Sequence, residues 1–183
     1  MIFLYALGVG ILAGYVLHGQ LRRLPSLPFR ALWLIPLALL IQLLIFPLFS
    51  GRPLISAATP TLHLLSYAIL FLWLLLNLSV RPVWAIGLGA LLNAVVVLAN
   101  AGYMPSSATA LERAGLGSVA AALLVERTYG NVVLMGADSR LDVLGDWFFV
   151  PSWIPGATAF SIGDVLILAG LVWLVVRGMR GNG

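Results

Sequence analysis

The sequence predicts an all-α integral membrane protein of about five transmembrane helices, with a small folded cap between the fourth and fifth on the outer face. Three observations carry this reading. Of the 183 residues, 62% are hydrophobic and only 9% are charged, against roughly a quarter charged in soluble domains. Mean hydropathy is +1.08. The apolar residues also gather into five windows near the roughly 20 residues that cross a hydrocarbon layer.

The windows cover about 2–17, 31–49, 62–80, 83–100 and 162–176, within a single membrane domain spanning 1–183. The first does not read as a secretory signal, because no basic region precedes it and Arg22 and Arg23 follow it. Pro25 and Pro28 mark the first interval, Pro53 and Pro60 the second, and Pro82 the third. Pro36 and Pro47 fall inside the second window and are expected to kink or end its helix. Ala6, Gly10 and Gly14 repeat at four-residue spacing on the first. That stripe permits close helix packing, within the chain or with another subunit.

Arginine sets the expected orientation. Five spans place Arg22, Arg23, Arg30, Arg81, Arg177 and Arg180 on one side, and Arg52, Arg113, Arg127 and Arg140 on the other. Most of the second group sits in a long loop, where the positive-inside signal counts for less. The N-terminus is therefore expected outside and the C-terminus inside. All six acids, Glu112, Glu126, Asp138, Asp142, Asp146 and Asp164, then gather at the outer face.

The long loop is the outer cap, 101–159. Unstructured loops beyond about 15 residues are uncommon, and this one has structural content. Residues 118–125 read as a short apolar helix, 129–135 as a strand, and the aromatic run from Trp147 to Pro155 as a piece lying at the headgroup level.

Composition excludes several functions. With no cysteine there is no disulfide, thiolate metal site or thiol redox chemistry. His18 and His63 stand far apart, which is poor material for zinc. No metal and no cofactor is expected. The basic pI of 10.1 reflects arginines at segment ends, so nucleic acid is not an expected partner. Membrane lipid is, and another membrane protein is a further candidate.

Polar residues inside spans are costly and often functional. Asn93 and Asn100 lie seven apart on one face of the fourth span, Asn77 and His63 on the third, Gln42 on the second. For each, an interhelical hydrogen bond is the plain explanation. In N-A-G-Y-M-P, Gly102 and Pro105 stop the fourth helix. Asp164 stands one turn into the fifth span behind Ser161, where a helix cap explains it.

The runs L-G-A-L-L-N, N-A-G-Y-M-P, R-L-D-V-L-G-D and F-S-I-G-D-V-L-I resemble a family of small bacterial membrane proteins with a domain of unknown function. That resemblance implies a five-span architecture in the bacterial cytoplasmic (inner) membrane and no activity. A local resemblance to lipoprotein signal peptidase (signal peptidase II) concerns chemistry. L-G-D-W-F and F-S-I-G-D place Asp146 and Asp164 eighteen residues apart, similar to the spacing of that family's two catalytic aspartates. Asn100-Ala101-Gly102 and Asp138-Ser139-Arg140 are similar to its two polar motifs. Ser161 and Gly163 stand where that family has asparagine and alanine, and its two spans between motifs have no room here.

Two function classes follow. One is a non-catalytic accessory, assembly or binding protein, in which the aspartates are satisfied separately by a helix end or by Arg113 or Arg140. The other is an intramembrane aspartyl hydrolase using an Asp146/Asp164 dyad at the outer membrane–water boundary, with Asn93, Asn100, Asp138 and Arg140 in support. There, two nearby carboxylates share a proton, and one serves as base while the other serves as acid.

Overall fold

The computed structural model describes residues 1–45, 55 and 58–181. Helix α1 covers Ile2–Val16, and a 3₁₀ turn covers Leu21–Ser26. Helices α2 (Leu34–Ile45), α3 (Thr59–Leu76) and α4 (Pro82–Ala99) follow. Strand β1 (Met104–Ser106), helices α5 (Ala108–Arg113) and α6 (Gly117–Glu126), and strands β2 (Thr128–Tyr129) and β3 (Val132–Leu134) come next. A one-turn 3₁₀ element at Asp142–Leu144, strands β4 (Asp146–Val150) and β5 (Thr158–Ser161), and helix α7 (Ile162–Arg180) complete the order.

Helix α7 is the centre of the bundle. On one side Gly10 of α1 faces Val175, so close that a Cβ on Gly10 would lie 2.9 Å from the Val175 Cβ, and Gly14 faces Met179. These pairings advance together, so α1 and α7 run parallel. The Ala6–Gly10–Gly14 stripe is thus covered inside the chain. On the other side Gly170 meets Ile86, and Gly163 meets Gly89 and Asn93, so α4 runs antiparallel to α7. Small residues at both seams let the backbones approach, which is how helices gain contact where lipid supplies no hydrophobic drive.

One end of the bundle holds Arg22, Arg23, Arg30, Arg81, Arg177 and Arg180. Arg23 Nη1 donates to the Arg180 carbonyl at 3.2 Å, and the Gln20 amide to the Met179 carbonyl at 2.7 Å. Asn77, fully buried, clamps the neighbouring loop: its Oδ1 accepts from the Arg30 amide at 2.7 Å, and its Nδ2 donates to the Trp73 and Arg30 carbonyls. Leu34, Trp73, Leu74, Val80, Val83, Ile86 and Ala90 form the apolar core at this end.

The opposite end carries a five-stranded sheet in the order β2-β3-β1-β4-β5. Strand β1 is parallel to both β3 and β4, and the outer pairs are antiparallel. Helices α5 and α6 cover it through Leu111, Ala120 and Leu123.

The sheet overturns the expectation of an all-α fold. Its strands are two to five residues long, too short for a period-two signal. β1 also contains a proline, which normally argues against a central strand. Here β1 meets β4 only at Ser106 and Asp146, so the missing Pro105 donor faces a stretch where no ladder bond is due. The 129–135 segment is a hairpin turning at Gly130 and Asn131 rather than one strand.

The count of about five spans is corrected as well. Among the described residues three helices, α3, α4 and α7, are long and apolar enough to cross a membrane. Helix α1 has 15 residues, about 22 Å at 1.5 Å per residue, and α2 has 12 described residues. The window at 31–49 opens instead with a turn at 32–33. Pro36 falls in the first turn of α2, where proline is tolerated, rather than at a kink. Pro47, Arg52 and Pro53 lie outside the described residues.

Candidate functional site: a carboxylate pair where sheet meets bundle

Strand β4 starts on Asp146, between Ser106 of β1 and Ser161 of β5 in the sheet register. The Ser106 hydroxyl donates to Asp146 Oδ2 at 2.6 Å. Asp146 is only 9% exposed, and Ser106 and Ser161 are fully buried. Burial pushes the Asp146 carboxyl up to about 7; the Ser106 bond works against that shift, and the charge of Asp164 adds to it.

Asp164 sits one turn inside α7 and closes a capping box. Its amide donates to Ser161 Oγ at 3.0 Å, and its Oδ2 accepts from the Ser161 amide at 2.9 Å. Its Oδ1 accepts from Asn93 Nδ2 at 3.0 Å. The Ser161 hydroxyl lies 2.7 Å from Asn93 Oδ1 and 2.9 Å from Asp164 Oδ2, one proton facing two acceptors. Asn93 reaches this position over Gly163, where any Cβ would collide with its Oδ1. The Tyr67 ring of α3 packs beside the junction against the cluster of Val96, Val97 and Met104.

The other singled-out polar residues form a second group. Asn100 ends α4 and grips the backbone of Arg140: its Nδ2 donates to the Arg140 carbonyl and its Oδ1 accepts from the Arg140 amide, both at 2.8 Å. Asp138 lies in the same loop, on the wall of a cavity shared with Arg140. The six site candidates therefore divide. Asn93, Asp146 and Asp164 meet at the buried junction, whereas Asn100, Asp138 and Arg140 stand together at a cleft.

No ion pair holds the acids among the described residues. Asp142 accepts from Ser139 Oγ at 2.6 Å, and Arg113 lies over the Phe149 ring, 5.6 Å from its centroid. His63 is buried, with Nδ1 2.8 Å from the Gly102 carbonyl, and Gln42 Nε2 donates to Ser66 Oγ at 3.3 Å. Among the described residues no group of three or more His, Asp or Glu side chains gathers to hold a metal ion. Ser106 and Tyr67 belong to the junction without having been singled out from the sequence. A serine ending a three-residue strand and a tyrosine on an apolar helix carry no spacing signal.

Helices long and apolar enough to cross a membrane, joined to a sheet at one end, are compatible with a membrane protein. Residues 26–176 match the model of a family of unknown function (DUF5317), and the chain belongs to that family. No curated protein and no solved structure matches it.

Proposed function

We propose that the protein is a non-catalytic binding or assembly scaffold of the bacterial cytoplasmic membrane, with its sheet on the outer face. The observation that carries this is the use made of Asp164. Both its oxygens are engaged in the α7 capping box and the Asn93 contact, a structural duty that joins sheet, α4 and α7. Asp146, sealed against Ser106, completes the same latch.

The orientation reading, N-terminus outside and C-terminus cytoplasmic, draws support from charge. Arg22, Arg23, Arg30, Arg81, Arg177 and Arg180 gather at the end away from the sheet, and the positive-inside rule assigns such an arginine excess to the cytoplasmic face.

A second reading, an aspartyl hydrolase, is favoured by one observation: Asp146 and Asp164 both lie against Ser161, and burial holds the Asp146 carboxyl near 7, where a group exchanges protons at neutral pH. Asp164→Asn and Asp146→Asn separate the two. A scaffold keeps its function in the native host wherever protein abundance is kept. A hydrolase loses function in both variants at unchanged abundance, and the double variant is no worse than either single.

A further inference from the structure

The cleft at the end of α4 has the chemistry of a lipid headgroup site. It encloses about 660 Å³ between the last residues of α4, the C-terminal end of α6, β3 and the loop at 136–140. Two arginines line it, Arg127 and Arg140, with one carboxylate, Asp138. Both arginines are exposed, and among the described residues neither forms an ion pair. The site carries a formal charge of +1, the complement of a single phosphodiester. Guanidinium groups are the side chains best shaped to grip phosphate oxygens in pairs.

The backbone holds these groups in place. Asn100 fixes Arg140 through two backbone hydrogen bonds of 2.8 Å, and Ser139 Oγ accepts from the Gly136 amide at 2.8 Å to tighten the loop. Arg127 caps α6 at φ 63, a left-handed position where glycine is at ease and a branched or long side chain is strained. An arginine there costs stability that a glycine would not.

The apolar surroundings point to a lipid rather than a free anion. Leu88, Leu91, Val95 and Leu98 form an exposed stripe along α4, at helical spacing. The stripe runs toward Ala101, which lines the cleft. Leu124 and Val125, at 74% and 83% exposed, stand on the α6 side. α4 is of spanning length, so its end falls where the hydrocarbon gives way to headgroups.

We infer that this cleft binds the phosphodiester of a singly anionic phospholipid, with Arg127 and Arg140 on the phosphate and an acyl chain along the α4 stripe. The inference rests on the membrane placement proposed above and is independent of the role of the aspartates.

The test uses full-length protein in a neutral detergent, titrated with short-chain phosphatidylglycerol below its micelle concentration and followed by thermal shift. Inorganic phosphate and short-chain phosphatidylcholine serve as comparators. Phosphatidylglycerol is expected to bind saturably and at least tenfold more tightly than either. Arg127→Gln with Arg140→Gln is expected to weaken it at least tenfold with the unliganded melting temperature kept, and Asp138→Asn to tighten it. Unchanged affinity in the double arginine variant overturns the inference, and so does inorganic phosphate binding as tightly as the lipid. Membrane fractionation of the native protein scores the placement separately.

Discussion

The Asn93 side-chain nitrogen donates to Asp164 Oδ1 at 3.0 Å, so a residue well inside α4 reads the first turn of α7. The same amide oxygen lies 2.7 Å from the Ser161 hydroxyl, at the last position of β5. One side chain thereby ties two helices and the edge strand of the sheet into one unit.

That contact needs a bare backbone at Gly163. Gly163→Ala drives a methyl group into Asn93 Oδ1 and toward the Gly89 carbonyl, and the backbone side of that clash cannot rotate away. A loss of about 1–3 kcal/mol is expected, read as a lowered melting temperature in detergent. Asn93→Ala combined with Gly163→Ala should recover part of it, because the nearest clashing atom is gone; no recovery would place the strain elsewhere.

Asp146 makes stability depend on pH. Its carboxyl is held near 7 in the folded protein and sits near 4 when unfolded. Between those values the folded state binds the extra proton, so stability falls as pH rises from about 4 to about 7 and then levels. The contribution is on the order of a few kcal/mol. Asp146→Asn, which keeps an acceptor for Ser106, should flatten that slope and raise the melting temperature at pH 8. A variant that retains the wild-type slope assigns the pH dependence to other groups.

The Asn100 clamp predicts a local effect. Asn100→Ala removes both bonds to Arg140 and the bond to the Val96 carbonyl. Amide hydrogen exchange should rise at 136–142 and stay unchanged in α1 and α7. Uniform acceleration across the chain would show a global loss instead.

Orientation is open to reporter fusions. A reporter fused after Arg180 is expected to be active only in the cytoplasm, and one inserted near Gly117 only outside. The reverse pattern would sink the outer-face placement of the sheet and move the headgroup site to the cytoplasmic leaflet.

Much of the helical part was legible in the sequence, because long apolar runs and end-placed prolines report directly on lipid-compatible helices. Gly10 and Gly14 announced a close seam, though not that Val175 and Met179 fill it. The sheet was hidden for a physical reason. Met104-Pro105-Ser106 is stabilised by strands far away in sequence, and nothing local in three residues encodes that pairing. At the junction, Asp164 and Ser161 were readable as a cap because capping is local, whereas Ser106 and Tyr67 entered only through the tertiary fold. Asn93 and Asn100 share a helix face by spacing, yet α4 ends at Ala99, and Asn100, its C-cap at φ −113°, bonds the Arg140 backbone at the cleft instead.

The seam between α1 and α7 has a consequence for how the molecule is made. Gly10 and Val175 touch although they stand 165 positions apart, so α1 leaves the ribosome long before its partner exists. At about 5–20 residues per second, that is a wait of roughly ten to thirty seconds with its glycine face uncovered. Strand β5 passes straight into α7, so the same late segment closes the sheet's edge. Assembly therefore finishes when β5 and α7 arrive together, and a nascent chain stalled before residue 158 presents both an open helix seam and a β4 without its β5 partner to whatever machinery polices incomplete membrane proteins.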